Sequence, residues 1–141
     1  MNIVIIDYGL GNLRSIEKAL QYVGAEVEIS NEPSAIDSAD ALILPGVGAF
    51  RDAMMHFSTL ERVVKDAVDE GKPLLGICLG MQAMGKSSHE FGHHQGLGWV
   101  SQDVVSLRSL DPELPVPHVG WNEVAFPAGW PLFKGIRQGA E

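Results

Sequence analysis

Lys72-Pro73-Leu74-Leu75-Gly76-Ile77-Cys78-Leu79-Gly80-Met81-Gln82 decides how the rest of the chain is read. A short apolar run, Leu74, Leu75 and Ile77, follows Pro73 and predicts a buried strand. The run leads straight into Gly76-x-Cys78-x-Gly80. A glycine two residues before and two after a nucleophile is the pattern of a strand-to-helix elbow. The backbone turns sharply there, and bulk is kept away from the reacting atom. Sulfur stands here in place of the serine hydroxyl. Cys78 is the only cysteine in 141 residues. A lone cysteine after an apolar strand is ordinarily a small buried hydrophobe. The flanking glycines and the strand-to-helix setting move the reading towards a nucleophile.

Working back from the elbow, Ile3 to Ile6 is β-branched and continuously apolar, as in a strand buried on both faces. It ends at Asp7 and enters the glycine-rich turn Tyr8-Gly9-Leu10-Gly11-Asn12. Leu13, Ile16, Leu20 and Val23 then recur at helical spacing, with Ala19 on the same face and Gly24 as the cap. Val27 and Ile29 alternate with Glu26 and Glu28, a second, more exposed strand. Pro33 to Asp40 has room for a short helix. Ala41 to Leu44 is a third strand and runs into Pro45-Gly46-Val47-Gly48. A longer helix is expected over Arg51 to Glu70, with Phe57, Leu60, Val64, Ala67 and Val68 on its apolar face. Gly71 and Pro73 stop it.

This order, strand and helix in alternation up to the elbow, predicts an α/β fold with a doubly wound, mostly parallel sheet of flavodoxin-like layering. Ligands in such sheets lie outside the carboxyl ends of the strands. Three turns meet that condition: Asp7 to Asn12, Pro45 to Gly48, and Cys78 to Gln82. Beyond Gln82, Gly85, Ser87, Ser88, Gly92, Gly96 and Gly98 break any long helix. Trp99 to Leu107 reads as a strand. Val116 to Val124 holds Pro117-His118-Val119-Gly120-Trp121-Asn122 between two expected strands. Ala125 to Glu141 reads as a loop anchored by Trp130, Leu132, Phe133 and Ile136. One domain over residues 1–141 is expected, with no internal repeat.

Bulk properties narrow the function. Hydrophobic residues make up 45% and charged residues 20%, an ordinary globular composition. A net charge of -8 without a Lys/Arg cluster argues against nucleic acid as the main partner. A small substrate or a protein partner fits better. One cysteine permits no internal disulfide, which suits a reducing cytoplasm. The start, Met1 to Asp7, lacks a basic region and a signal-length apolar run, and no stretch approaches a membrane span.

Acyl transfer at Cys78 requires an activated thiolate and an oxyanion hole. The amide ends of the elbow helix favour negative charge. Leu79, directly after the nucleophile, supplies one backbone N–H. The glycines of Pro45-Gly46-Val47-Gly48 allow a second amide to turn inward. Two other patterns compete. His89-Glu90-Phe91-Gly92-His93 matches the H-E-x-x-H of zinc hydrolases, and Gly96 fits the next position of its extended form. The third histidine of that form would fall on Trp99, and the motif needs a helix that Gly92 disfavours. Gly9-Leu10-Gly11 lacks the third glycine of a dinucleotide fingerprint, since position 14 is Arg14.

The elbow, the P-G-V-G loop and the opening D-Y-G-L-G-N together resemble the class I, triad-type glutamine amidotransferases. With G-L-G-W at Gly96 to Trp99 and P-H-V-G-W-N at Pro117 to Asn122, the chain is most similar to the glutaminase subunits of imidazole glycerol phosphate synthases. The resemblance runs from Met1 to about Ile136. It implies that Cys78 attacks the carboxamide of L-glutamine, forming a γ-glutamyl thioester and releasing ammonia. It implies an oxyanion hole of Val47, Gly48 and Leu79, and glutamine contacts from Gly46, Gly48, Gln82 and Glu90. Asn12, Pro117, His118, Trp121 and Asn122 would meet a (β/α)8-barrel cyclase subunit in a cytoplasmic heterodimer of histidine biosynthesis, with ammonia passing between the two. No cofactor and no metal is implied. In the family the catalytic histidine and glutamate lie in an F-H-P-E motif, after a strand bearing H-S-Y. These 141 residues contain neither motif. His56, His89, His93, His94 and His118 do not match it. The resemblance therefore implies the N-terminal two-thirds of the family domain, with the C-terminal part incomplete. The readings beside it are a non-catalytic module that docks on the cyclase barrel and a zinc hydrolase using His89, Glu90 and His93.

Overall fold

The computed structural model describes residues 1–140; Glu141, the last residue of the expected domain, lies outside them. Contacts divide the chain into two compact units, one of Met1–Ser106 and one beginning at Leu107.

The first unit is built on a four-stranded parallel sheet in the order β2-β1-β3-β4. Its strands are β1 (Asn2–Ile6), β2 (Glu26–Ser30), β3 (Ala41–Leu44) and β4 (Leu74–Gly76). Register follows from the apolar runs: Ile3 pairs with Val27 on one side and Ala41 on the other, and Leu44 pairs with Gly76. Alternation along β1 and β3 sorts their side chains onto two faces. Val4, Ile6, Leu42 and Leu44 face one way, packed with Ile36 of α2 (Pro33–Ser38), Phe50, Ala53 and Phe57 of α3 (Phe50–Phe57), and Val64 of α4 (Glu61–Asp69). Ile3, Ile5 and Ile43 face the other way, against Leu13, Ile16 and Leu20 of α1 (Leu13–Tyr22). Each such buried Val, Leu, Ile or Phe contributes about 1.5–3 kcal/mol. Helices thus cover both faces, and the expected doubly wound arrangement is present.

Several local expectations fail for identifiable reasons. The strand before the elbow was expected to be buried, yet among the described residues β4 pairs with β3 alone and Leu75 is 53% exposed. Apolar content does not distinguish an edge strand from a central one. The long helix over Arg51 to Glu70 is two helices. The Ser58 hydroxyl bonds back to the Met55 carbonyl at 2.7 Å, and Leu60 N–H turns to Phe57 O, so α3 ends at Phe57. The expected apolar face survives the break, with Phe57, Leu60, Val64 and Ala67 buried. α1 stops at Tyr22, leaving Val23 exposed as its cap and Ala19 on its outer side.

After the elbow comes a short helix, α5 (Leu79–Ala83), as expected. A small sheet of β5 (Ser87–Ser88), β6 (His94–Gln95) and β7 (Asp103–Val104) follows, in the order β6-β5-β7. The strand expected over Trp99 to Leu107 shrinks to β7. Trp99 instead turns inward, its ring 6.0 Å from that of Phe57.

In the second unit, α6 (Leu107–Leu110) and a 3-10 turn at Pro131–Phe133 are the helical elements. The strands expected around Pro117 to Asn122 do not form; Val124 makes a single bridge to Ala140. Pro115 and Pro117 lack the N–H that a ladder requires. Of the expected apolar anchors in the tail, Phe133 stacks on Phe126 at 4.3 Å, but Leu132 is 73% exposed and Trp130 and Ile136 are also exposed. No helix of the described residues is long and apolar enough to cross a membrane.

Candidate active site

β1, β3 and β4 end on the same edge of the parallel sheet, so the turns after them form one surface. The reversal of strand order between β1 and β3 lies there, where α/β sheets place their ligands.

The elbow has the geometry its sequence predicts. Cys78 adopts φ 53° and ψ −116° at the start of α5, one of two non-glycine residues with positive φ among those described. A side chain held in that region is strained, and such strain collects at functional positions. The thiol is exposed. The two flanking glycines are explained by close approach. A methyl on Gly76 would lie 2.6 Å from Met81 Cα, and one on Gly80 would run into the Leu44 carbonyl. Strand, elbow and helix can pass this close only if both positions lack a side chain. Ile77 N–H donates to Leu44 O at 2.9 Å, and Gly80 N–H returns to Ile77 O at 3.0 Å, closing the turn.

The Pro45–Gly48 loop lies against the elbow. Gly46 is buried, and a Cβ there would meet Gly80 N at 2.7 Å and Leu79 Cβ at 2.8 Å. Val47 and Gly48 stand out into solvent, Gly48 at φ 102° with open space around it. Leu79 is buried, its amide at the first position of α5. The structure thus brings Cys78, Leu79 and the P-G-V-G loop together. The Asp7–Asn12 turn joins them: a Cβ on Gly11 would touch Pro45 Cβ at 3.0 Å.

Glu90 is placed less simply than its expected role. Its carboxylate accepts a hydrogen bond from Phe50 N–H at 2.8 Å. Phe50 opens α3 directly after the P-G-V-G loop, and a negative charge suits that helix end. Gln82, half-buried on α5, lines a mainly apolar cavity of about 440 Å³ with Met81, Val100 and Val104.

The zinc-type segment does not form the helix its motif requires. His89 to His93 make the turn between β5 and β6, with Phe91 at φ 51° and Gly92 at φ 135°. His89 and His93 meet ring to ring, 5.2 Å apart, in a hairpin turn. Among the described residues no group of three or more His, Cys, Asp or Glu is placed to hold a metal ion.

Asn12 precedes α1 and is exposed, with no side-chain cap bond. In the second unit Pro117, His118, Trp121 and Asn122 are all exposed, Trp121 at 84%, and His118 Nε2 contacts Asn122 Nδ2 at 2.7 Å.

One residue at the site escaped sequence reasoning. Tyr8 is buried and its hydroxyl donates to the Pro45 carbonyl at 2.7 Å. Burial, and then negative charge on the nearby Cys78 sulfur, push its pKa up to about 12. The signal was present: a tyrosine next to a buried strand needs a partner for its O–H.

Comparison with known proteins agrees with this geometry. The family model described as glutamine amidotransferase class-I matches residues 4–136. The imidazole glycerol phosphate synthase subunit HisH of Methanosarcina acetivorans is 51% identical over 138 residues, covering 98% of this chain and 67% of that protein. The subunit of the same name from Methanosarcina barkeri is 49% identical, covering 95% and 65%. A crystal structure of a glutamine amidotransferase superposes with a TM-score of 0.61 at 25% identity, covering 72% of this chain and 55% of that one. The chain therefore spans about two thirds of the length of these curated relatives.

Proposed function

The chain belongs to the class-I glutamine amidotransferases, and on that premise we propose that it is the glutaminase part of an imidazole glycerol phosphate synthase. Cys78 is the nucleophile. Its Sγ adds to the carboxamide carbon of L-glutamine, and the new oxyanion faces amides of Val47, Gly48 and Leu79. The C–N bond then breaks, the nitrogen leaves as ammonia after taking up a proton, and a γ-glutamyl thioester remains. Water cleaves the thioester to glutamate and regenerates the thiol. Gly46, Gly48, Gln82 and Glu90 hold the substrate. Acid–base help in this chemistry is worth about 10²–10⁴-fold in rate, and in the family it comes from the histidine of F-H-P-E. None of the five histidines here stands in such a motif.

The observation that carries this reading is the backbone of Cys78, φ 53° and ψ −116°, at an exposed elbow packed against a glycine loop. A structural cysteine would have no need of that strain. Residues 1–141 form a single amidotransferase domain in this account, since the family match crosses from one compact unit into the other. Asn12 in the first unit, and Pro117, His118, Trp121 and Asn122 in the second, each contact a (β/α)8-barrel cyclase that receives the ammonia, in a cytoplasmic heterodimer.

The test is a quench experiment with radiolabelled L-glutamine in the presence of the cyclase. Label should appear on Cys78 as an acid-stable, base-labile γ-glutamyl group and be absent from Cys78→Ser. Co-purification with the cyclase should survive Cys78→Ala and weaken in Trp121→Ala. Ammonia release that persists in Cys78→Ser would overturn the assignment.

A further inference from the structure

The Tyr8 hydroxyl, the Gly46 peptide and the first turn of α5 meet at one point. A Cβ on Gly46 would lie 2.6 Å from the Tyr8 oxygen and 2.7 Å from Gly80 N. The hydroxyl donates to the carbonyl of Pro45 at 2.7 Å. On its other side the Tyr8 ring packs edge-on against Phe57 at 5.6 Å, and Phe57 against Trp99 at 6.0 Å. The phenol is thus held from behind by core aromatics and aimed at one backbone oxygen.

That oxygen belongs to the peptide linking Pro45 to Gly46. Fixing its plane fixes the direction in which the chain enters Val47 and Gly48. Gly46 and Gly48 permit many backbone orientations, so a single bond at the loop's entrance selects among them. We propose that Tyr8 is a positioning residue for the reaction: its hydroxyl orients the Pro45–Gly48 loop so that the loop's amides face the carbon attacked by Cys78. This rests on the glutaminase reading. The phenol, with its pKa near 12, stays a donor across the neutral range.

A phenol that merely fills space predicts the same packing, so the test must separate the two. Two electrophiles do so. Iodoacetamide alkylates Cys78 by displacement of iodide and needs no oxyanion hole. A chloromethyl ketone analogue of glutamine loses chloride to the same thiolate, but its ketone oxygen occupies the oxyanion position. Both rates are measured on wild type and Tyr8→Phe. The ratio of chloroketone to iodoacetamide rate should fall about 3- to 10-fold in Tyr8→Phe, the effect of one lost hydrogen bond of ordinary strength. An unchanged ratio overturns the role of Tyr8 while leaving the glutaminase reading intact. Wild type that reacts with iodoacetamide but not with the chloroketone overturns that reading, and the role of Tyr8 with it. If Tyr8→Phe does not fold, 3-fluorotyrosine replaces the two tyrosines, of which Tyr22 is 92% exposed. The stronger donor should shift the ratio, and no shift overturns the proposal.

Discussion

The Glu90 carboxylate accepts a hydrogen bond from the Phe50 N–H at 2.8 Å, joining two points 40 residues apart. The bond ties the turn after β5 to the first residue of α3, just past the Pro45–Gly48 loop. Its acceptor is charged and sits at a helix N-terminus, where bonds of this kind are strong. Glu90→Ala should destabilise the chain by about 1–2 kcal/mol, and Glu90→Gln, which keeps an acceptor oxygen, by about half of that. Urea unfolding of the two variants measures the difference. No loss in either variant would show that the bond contributes nothing.

The elbow glycines should be intolerant for reasons of space. A methyl on Gly80 collides with the Leu44 carbonyl, which belongs to a buried strand and cannot move aside. Gly80→Ala should cost about 3 kcal/mol or more, at the upper end of overpacking effects. Gly24, with φ 83° and nothing within 4 Å of its missing Cβ, serves as the control. Gly24→Ala should cost about 1–2 kcal/mol, from backbone strain alone. Thermal melts of both variants test the order, and it should not reverse.

Tyr8 carries a pH dependence of defined sign. Its pKa rises from 10.0 to about 12 on folding, so the protonated phenol is the stabilised form. The stabilisation is fully present below pH 10 and is lost as pH rises towards 12. Wild type should therefore exceed Tyr8→Phe in stability at pH 9, and the gap should narrow between about pH 10 and pH 12. Because Tyr8→Phe lacks the titrating group, the difference between the two chains isolates it. A gap that widens over that range would contradict the assignment.

His89, Glu90 and His93 carry the letters of a zinc motif on a hairpin turn, and one oxygen of the Glu90 carboxylate accepts from Phe50 N–H. Treatment with a chelator should leave the rate of Cys78 labelling unchanged, and so should His93→Ala. Metal analysis after purification should find far less than one zinc per chain. Stoichiometric zinc would revive the hydrolase reading.

The sheet was legible because β1, β3 and β4 are short apolar runs, each leading into a glycine-containing turn, while β2 shows the alternation of a half-exposed strand, and that pattern fixes both the order of elements and the edge at which the glycine turns collect. Cys78 was legible because G-x-C-x-G is a local pattern, although only Gly76 is forced by neighbours within the elbow, Met81 and Met84, whereas Gly80 is forced by the distant Leu44 carbonyl. Long-range facts were not. Nothing in the run Leu74-Leu75-Gly76 marks β4 as an edge strand, because edge position depends on which other strands pair with it. The break at Ser58 hides within a continuous helical pattern, since Phe57 and Leu60 stay on the buried face either way. Tyr8 beside a buried strand signals that its O–H needs a partner, but which residue answers, Pro45 at 37 positions' distance, leaves no local trace, nor does the pairing of Glu90 with Phe50 across 40. The exposed segment from Pro117 to Asn122 was read as flanked by strands from composition alone, and its prolines prevailed.

The central claim is that Cys78 is a nucleophile built for glutamine, and peptide mapping after exposure to the glutamine chloromethyl ketone tests it most directly. The account predicts one adduct, on Cys78, formed more slowly when L-glutamine is present and at an unchanged rate with L-asparagine. An adduct that neither amino acid affects, or one that forms elsewhere while Cys78 stays free, would contradict it.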